Sequence, residues 1–346
     1  MHRSMHTIRI LQCGRAIAAC AVVFHHAALG TELRVEALPQ WLAVFFHFGF
    51  LGVDFFFVLS GFIILHAHAD DEQGPRAAIV YSKRRLTRIY VPYLPIGLAM
   101  AAYYASVGLS FNLITSLTLM PAGAPALSVA WTLTHELLFY SIFAVSYFTR
   151  HFAALASAWA VSIVGFSVLV GESCCAEYPA VVQESLRVIL SPLNLEFIFG
   201  MVAAVAARRM PSQLWSFALP IGAVGIVAFF FSLSDANPLA LTRAWFGLSV
   251  AFVLVAAVWL EELGRIHTPA WLMLLGDASY AIYLVHNPLV AFVARVVGGI
   301  GFPTSWSISL ALCAALGIGG GIAYHVLVEK PALSLFRQSR RNIQRG

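Results

Sequence analysis

The stretch Arg15-Ala-Ile-Ala-Ala-Cys-Ala-Val-Val-Phe-His25-His26 decides how the rest of the chain is interpreted. It places an arginine and two histidines inside an apolar run that predicts the first membrane-spanning helix. Charged or titratable side chains are costly there unless a partner satisfies them, and they therefore indicate function. In a helix, Arg15 and His26 lie about 20° apart in direction and roughly 16 Å apart along the axis, whereas His25 points about 80° away. We expect Arg15 and His26 to share one functional face.

The composition is that of a membrane protein. Of 346 residues, 60% are hydrophobic and 11% are charged, whereas about 25% are charged in an average soluble domain. The net charge of +5 does not indicate nucleic-acid binding, because the basic residues recur between apolar runs as orientation signals do. The five cysteines, which include the adjacent Cys174-Cys175, form neither a disulfide framework nor a paired CxxC metal site. We expect an all-α integral membrane protein without a bound metal.

About ten apolar segments are long enough to cross a membrane. Their approximate ranges are 10–30, 41–66, 89–108, 127–148, 152–170, 186–207, 214–232, 243–260, 271–294 and 305–328. An even number places both termini on one side. The connecting loops are too short to bury a core of their own, which predicts one transmembrane domain over 1–346, with its core at about 9–331 and a short basic tail.

The charges of the connecting segments predict the orientation. Basic residues recur in the segments that would face the cytoplasm: Arg3, Arg9, Arg76, Lys83, Arg84, Arg85, Arg88, Arg150, Arg208, Arg209, Arg265, Lys330, Arg337, Arg340, Arg341 and Arg345. The opposite loops hold mainly acidic residues: Glu32, Glu36, Glu172, Glu177, Glu184 and Asp235. We therefore predict cytoplasmic termini, and an N-terminal segment that is retained because Arg15 interrupts any signal-peptide pattern.

The carboxylates Asp54 and Glu136 fall inside predicted spans. Asp54 lies in Gly52-Val-Asp-Phe-Phe-Phe-Val-Leu-Ser-Gly-Phe62, where it needs either a structural ion-pair partner or a role in orienting an essential histidine such as His26. Glu136 lies in Trp131-Thr-Leu-Thr-His-Glu-Leu-Leu-Phe-Tyr140 and shares a helix face with Tyr140. A zinc HExxH site is excluded, because Phe139 stands where the second histidine would be.

Arg85 and Arg88 are neighbours on one helix surface at the predicted cytoplasmic border. They fit either plain anchoring to anionic lipid headgroups or binding of a polyphosphate ligand, because each guanidinium can bind a phosphate in a bidentate manner. His66 and His68 would face opposite sides of a helix, and the sequence assigns them no function.

The last two spans carry further signals. Ser279, Tyr283 and His286 form a polar stripe that predicts a lined cavity. The GxxxG spacing of Gly317-Ile-Gly-Gly-Gly321 predicts close helix packing. Glu329-Lys330-Pro331, taken alone, fits a charged helix end stopped by proline.

In this order, these stretches resemble the acyltransferase 3 family of bacterial membrane proteins, which transfer acyl groups to cell-surface glycans and related acceptors. The matches are Arg15 with His26, the Gly52–Phe62 stretch, Arg85 with Arg88, the Trp131–Tyr140 stretch and Ser279-Tyr280-Ala-Ile-Tyr283-Leu-Val-His286, closed by Glu329 and Pro331. The chain departs from the family at Leu137, where a second acidic residue is common. We also expect no extra periplasmic hydrolase-like domain of the kind that some O-antigen acetyltransferases carry.

The resemblance implies acyl-coenzyme A, most simply acetyl-CoA, as a donor from the cytoplasm. By position, His26 would be the general base and Arg15 its required companion, while Arg85 and Arg88 would hold the donor phosphates. Asp54 and Glu136 would shape the polar site, and Tyr140, Ser279, Tyr283 and His286 would line it.

We therefore expect a bacterial inner-membrane O-acyltransferase that acts on a sugar hydroxyl of an exopolysaccharide, O-antigen or lipid-linked precursor. Its partners would be the donor, the glycan and membrane lipids, without nucleic acid; a homo-oligomer is left open. The alternative is a transporter or flippase for a lipid-linked saccharide, in which Asp54, Glu136 and His26 form a proton or substrate path.

Overall fold

A computed structural model of the protein describes residues 8–170, 178–233, 240–299 and 305–343. Several residues named above lie outside these ranges: Arg3, Glu172, Cys174, Cys175, Glu177, Asp235 and Arg345. The secondary structure of the described ranges is helical, as the sequence predicts for an all-α membrane protein. The helices are α1 (Arg9–Arg34), α2 (Gln40–His47), α3 (Gly52–His68), α4 (Pro75–Ser106), α5 (Leu113–Thr118), α6 (Trp131–Ala144), α7 (Phe152–Leu169), α8 (Ala180–Ile189), α9 (Leu193–Arg209), α10 (Ser212–Trp215), α11 (Ala218–Ser232), α12 (Ala240–Glu262), α13 (Ala270–Gly299), α14 (Trp306–Tyr324) and α15 (Lys330–Ile343).

Eight helical stretches of the described chain are long and apolar enough to cross a membrane. They are Arg9–Arg34, Gln40–His68, Ser128–Tyr147, Phe152–Leu169, Ala180–Arg209, Leu241–Glu262, Ala270–Gly299 and Trp306–Phe336. The other two predicted spans fall on α4, which contains Pro92 and Pro95, and on α11, an apolar helix of 15 residues. The count of ten and the cytoplasmic termini stay predictions.

The second predicted span is not one continuous helix. A 3₁₀ turn at Phe48–Leu51 separates α2 from α3, because the chain passes directly over the backbone of α1 at this point. A Cβ at Gly49 would lie 2.2 Å from the Ala21 carbonyl oxygen, and one at Gly52 would lie 2.5 Å from the Ala18 oxygen. Only glycine permits this approach, which fixes Asp54 two residues from the contact at Gly52.

Helices α1 and α13 run parallel and in register over their whole length. Arg15 contacts Ser279, 264 positions further along the chain. The same offset relates Gln12 to Gly276 near one end, where a Cβ on the glycine would lie 2.3 Å from the Gln12 carbonyl oxygen. The first predicted helix and the polar stripe on the ninth predicted span therefore face each other.

Glycines also bring two other helix pairs into close contact. A Cβ at Gly321 would lie 2.4 Å from Ile282 Cα, which confirms close packing of α14 on α13 through the predicted Gly317–Gly321 stretch. Helices α3 and α9 meet through Gly61 and Gly200, whose added Cβ atoms would lie 2.0 and 1.9 Å from backbone oxygens of the opposite helix. The polar residues of these helices are therefore held in a tightly packed frame.

The interpretation of Pro331 as a helix stop is wrong. Residues His325–Glu329 form a π-helical turn, and α15 begins at Lys330 with Pro331 as its second residue. Because proline lacks the N–H that an α-helix interior needs, a wider turn before it allows the helix to continue.

The contact between Gly200 and Val58 predicts the effect of adding one methyl group. We expect Gly200→Ala to lower the free energy of unfolding by about 1–3 kcal/mol, because the helices must separate to admit the Cβ. Gly165→Ala in α7 is the matched control, because a Cβ there meets open space. Thermal unfolding of the detergent-solubilised protein measures both, and equal melting temperatures for the two variants would contradict this packing.

Candidate active site

An inner cavity of about 110 Å³ lies between α1, α3, α4, α6 and α13. Seven of the ten predicted site residues line it: Arg15, Arg85, Arg88, Glu136, Tyr140, Ser279 and Tyr283. The apolar part of the wall comes mainly from α3, including Val53, Phe56 and Phe57. Side chains from five separate sequence regions thus meet around one chamber.

A wider cavity of about 640 Å³ adjoins this chamber near the start of α1 and α13. It is lined by Gln12, Asp277, His325, Glu329, Lys330 and Ser334, among others. Arg15, Ile63 and Arg88 line both cavities. Two arginines therefore stand where the wide outer cavity joins the narrow inner one.

Arg15 is held by the polar stripe of α13. Its Nε donates a hydrogen bond to Ser279 Oγ at 3.0 Å, and the Ser279 hydroxyl donates to the Gly276 carbonyl at 2.7 Å. The serine thus uses its lone pair for the guanidinium and its proton for the backbone. Arg15 and His26, which the sequence predicts to share one face of α1, each contact α13 separately. Arg15 contacts Ser279, and His26 contacts His286.

Arg88 is anchored by the π-helical turn. Its Nη1 donates to Glu329 Oε1 at 3.0 Å, and the guanidinium lies 5.4 Å from the ring centroid of Tyr280. His325 Nδ1 donates to the other oxygen of Glu329 at 2.7 Å. The fully buried Glu329 carboxylate is therefore paired on both oxygens, and the π turn brings His325 and Glu329 to the same side.

Arg85 lies between two aromatic rings, with its guanidinium 5.7 Å from the centroid of Tyr81 and 5.6 Å from that of Tyr140. Its Nη2 donates to His68 Nε2 at 2.7 Å. Its Nε is buried and has no hydrogen-bond partner among the described residues. An unpaired buried donor at a cavity wall suits an anionic ligand.

Glu136 is the carboxylate of the inner cavity, and the Tyr140 hydroxyl donates a hydrogen bond to it. Three guanidinium groups line the same chamber, from Arg15, Arg85 and Arg88. Even with the Glu329 carboxylate beside Arg88, the positive charges exceed the negative ones. The cavity therefore attracts anions.

His26 lies beyond this chamber and lines neither cavity. The fully buried His286 packs against it, with ring centroids 4.9 Å apart. Tyr283, at the cavity wall, is one turn before His286, and the two rings are 5.7 Å apart. The histidine pair thus continues the polar path from the cavity along α1 and α13.

For neutral rings, the contacts with backbone carbonyls determine the tautomer of both histidines. His286 Nδ1 donates to the backbone carbonyl of Tyr283 at 2.7 Å, so its Nε2 is an acceptor. His26 Nδ1 faces that Nε2 at 3.3 Å and the Val22 carbonyl at 3.0 Å, so it carries the proton. His26 Nε2 is left with its lone pair, as a general base requires.

A family model described as an acyltransferase domain matches residues 8–324 of the chain. The chain belongs to the acyltransferase 3 family. It is therefore a membrane acyltransferase, as its sequence motifs predict.

This acyltransferase is 29% identical to the exopolysaccharide production protein ExoZ of Rhizobium meliloti (strain 1021), over 85% of this chain and 93% of that protein. It is 24% identical to the acyltransferase MdmB of Streptomyces mycarofaciens, over 94% of this chain and 92% of that protein. No solved structure matches the acyltransferase significantly.

Asp54 of the acyltransferase pairs with Arg243 of α12, and not with His26. Arg243 Nε donates to Asp54 Oδ1 at 3.0 Å and its Nη2 to Oδ2 at 2.7 Å, a bidentate geometry that uses both carboxylate oxygens. The guanidinium also lies 5.2 Å from the centroid of Phe50, which packs against His25. Of the two alternatives for Asp54, the contacts match the ion pair.

A second carboxyl group, Glu196 of α9, lies beside Asp54 and is fully buried. Neither of its oxygens meets a hydrogen-bond donor from the described residues. Gly247 makes room for it, because a Cβ there would lie 2.6 Å from Glu196 Cγ. With one guanidinium for two carboxyl groups, the low-energy arrangement has a proton on Glu196 that it can donate to Asp54.

Sequence reasoning missed Glu196, Arg243, His325 and the contacts of His68. The signal for Glu196 is a carboxylate inside the apolar run 193–207, the same signal that identified Asp54 and Glu136. Arg243 stands at the edge of a predicted span, where arginine is ordinary. The pairing of Arg243 with Asp54 joins positions 189 apart, which no local spacing reveals.

These contacts predict different effects of two substitutions on the free energy of unfolding. Arg243→Ala leaves Asp54 buried without a counter-ion, and we expect a loss of about 3–5 kcal/mol in the free energy of unfolding. Glu196→Gln keeps a hydrogen-bond donor beside Asp54 and is expected to be nearly neutral. Thermal and denaturant unfolding in detergent measure both, and a large loss for Glu196→Gln would mean that Glu196 is ionised and shares Arg243.

Proposed function

We propose that this acyltransferase moves an acyl group, acetyl in the simplest case, from acyl-coenzyme A to a sugar hydroxyl. The acceptor would be a cell-surface or exopolysaccharide glycan or its lipid-linked precursor, and the enzyme would lie in a bacterial inner membrane. The observation that carries the proposal is a row of polar residues that runs from the outer cavity, past Arg15 and Arg88, to Tyr283 and then to the His26–His286 pair beyond the inner cavity.

The charge and shape of the two cavities fit such a donor. The outer cavity, at about 640 Å³, offers Arg15, Arg88 and Lys330 to phosphates. Arg85, one helical turn before Arg88 in α4, would bind the same phosphates from the wall of the inner cavity. The inner cavity, at about 110 Å³, suits a small thioester end and not a bulky headgroup. In the predicted orientation, the outer cavity opens to the cytoplasm, where coenzyme A is found.

The proposed chemistry uses the free lone pair of His26. Its Nε2 takes the proton of the acceptor hydroxyl, and the hydroxyl oxygen attacks the thioester carbon. A new C–O bond replaces the C–S bond, and the leaving thiolate recovers the proton. His286 accepts from His26 Nδ1, so it holds the ring in place and stabilises the imidazolium that forms.

The acceptor class rests on two supports. The Rhizobium relative is named for exopolysaccharide production. A neutral imidazole base acts by taking a proton from the acceptor, and a sugar hydroxyl has such a proton. Membership of an acyltransferase family favours this enzyme over the transporter alternative.

The role of His26 predicts that His26→Ala abolishes acylation while the protein remains folded in the membrane. A general base contributes about 10²- to 10⁴-fold to the rate, so the residual activity should be at background. Mass spectrometry of the cell-surface polysaccharide, with and without the protein, measures the transfer and identifies the acyl group. His25→Ala is the matched control and should keep most activity; full activity in His26→Ala would refute His26 as the base.

The position of Arg88 predicts a donor-binding defect. Arg88→Gln should raise the KM for acetyl-CoA about tenfold or more, because a charged hydrogen bond to phosphate is lost. Release of free thiol by the purified enzyme in the presence of acceptor measures the KM. Arg84→Gln provides the comparison, because Arg84 is exposed and lines neither cavity; equal KM values in the two variants would contradict a donor site at Arg88.

A further inference from the structure

Arg85 is connected to the loop after α3 by a chain of hydrogen bonds. Its Nη2 donates to His68 Nε2 at 2.7 Å, and His68 Nδ1 donates to Asp71 Oδ2 at 2.7 Å. The Tyr147 hydroxyl also donates to Asp71 Oδ2, at 2.7 Å. The sequence assigned no role to His68, yet its side chain is only 7% exposed and both ring nitrogens are used.

The chain of bonds determines the state of His68. A guanidinium can only donate, so His68 Nε2 must accept and carry no proton. The single ring proton is then on Nδ1, where it meets the Asp71 carboxylate. Burial raises the pKa of Asp71, but hydrogen bonds from Tyr147 and His68 outweigh it and hold that pKa below its ordinary value, so the carboxylate stays charged.

The chain also determines where the guanidinium of Arg85 lies. The rings of Tyr81 and Tyr140 hold the guanidinium on either side, and His68 supplies its hydrogen-bond acceptor. The unpaired, buried Nε belongs to this same group at the wall of the inner cavity. Without His68, the Arg85 guanidinium would keep its contacts with the rings of Tyr81 and Tyr140. It would lose the hydrogen bond that sets the orientation of its plane.

We infer that His68 is a positioning residue for Arg85, and that the Asp71–His68–Arg85 chain aims the guanidinium at the phosphate groups of the donor. This inference rests on the proposed function, in which Arg85 binds the donor. It also makes donor binding depend on a neutral His68. A proton on Nε2 would place two donors against each other at 2.7 Å and push Arg85 away.

The titratable and charged groups around His68 are consistent with this dependence. They are Tyr81, Arg84 and Arg85 from α4, Asp71 from the adjoining loop and Tyr147 after α6. Of these, Asp71 is the carboxylate, and it faces Nδ1. Acidification therefore charges the ring on the side that faces Arg85.

Two substitutions distinguish the roles of the two ring nitrogens of His68. Glutamine places an acceptor near the position of Nε2 and can replace the bond to Arg85. Asparagine places a donor near the position of Nδ1 and can replace only the bond to Asp71. If the role of His68 is to position Arg85, His68→Gln should bind the donor nearly as well as the wild type, and His68→Asn about tenfold more weakly.

The test is the affinity of the detergent-solubilised full-length protein for coenzyme A, measured by titration calorimetry, for the wild type and for Arg85→Gln, His68→Gln and His68→Asn. Loss of affinity in Arg85→Gln and His68→Asn, with affinity kept in His68→Gln, supports the inference. Loss in Arg85→Gln alone overturns it while leaving the donor site intact. Unchanged affinity in Arg85→Gln overturns the proposed donor site at Arg85 and the inference with it.

A pH comparison decides the question even if His68→Asn does not fold. As the pH falls from neutral to the lowest value at which both proteins stay folded, the wild type should lose more affinity for coenzyme A than His68→Gln does, because only the wild type can protonate the ring. Acid also protonates phosphate groups of the ligand, and the difference between the two proteins removes that effect. Equal losses in the two proteins overturn the inference.

Discussion

The architecture depends on the close, parallel contact between α1 and α13. Gly276 and Gly298 of α13 bring its backbone against Gln12 and Arg34, near the two ends of α1. In a bilayer, where apolar burial between helices gives little driving force, such contact relies on small residues and interhelical hydrogen bonds. The same contact that joins the helices pairs Arg15 with Ser279 and His26 with His286. The interface that packs α1 against α13 thus also holds the polar pairs of the candidate site.

Several charges inside the described bundle occur in sets that connect different helices. Asp54 pairs with Arg243 and lies beside Glu196 between α3, α9 and α12, and Glu329 joins α4 to the π turn through Arg88. Each set replaces the water that a charged group would otherwise need. A charge in such a set is costly to remove, but the complete set orients helices at low cost. Glu329 holds Arg88 in this way at the wall of the cavity.

The sequence predicted the fold class, most helices and the residues that surround the cavity, because apolar length and buried polar residues are local signals. The stripe of Ser279 and Tyr283 was visible from helical spacing alone. The partners could not be predicted in this way: Asp54 meets Arg243, and His68 meets Arg85, only after helices pack in three dimensions. The break at Phe48–Leu51 also followed from a tertiary contact, since it arises where the chain crosses α1.

The π turn at His325–Glu329 has a consequence for how this region tolerates change. A π turn holds one residue more than the α-helical turn it replaces, so removing a single residue there would restore a regular helix. Everything after the deletion would then rotate by about 100° relative to α14. Glu329 would leave Arg88, whereas substitutions of single side chains nearby would not move the backbone. The number of residues in the segment His325–Glu329 therefore matters as much as their identity, because it sets which side chains of the following helix face Arg88.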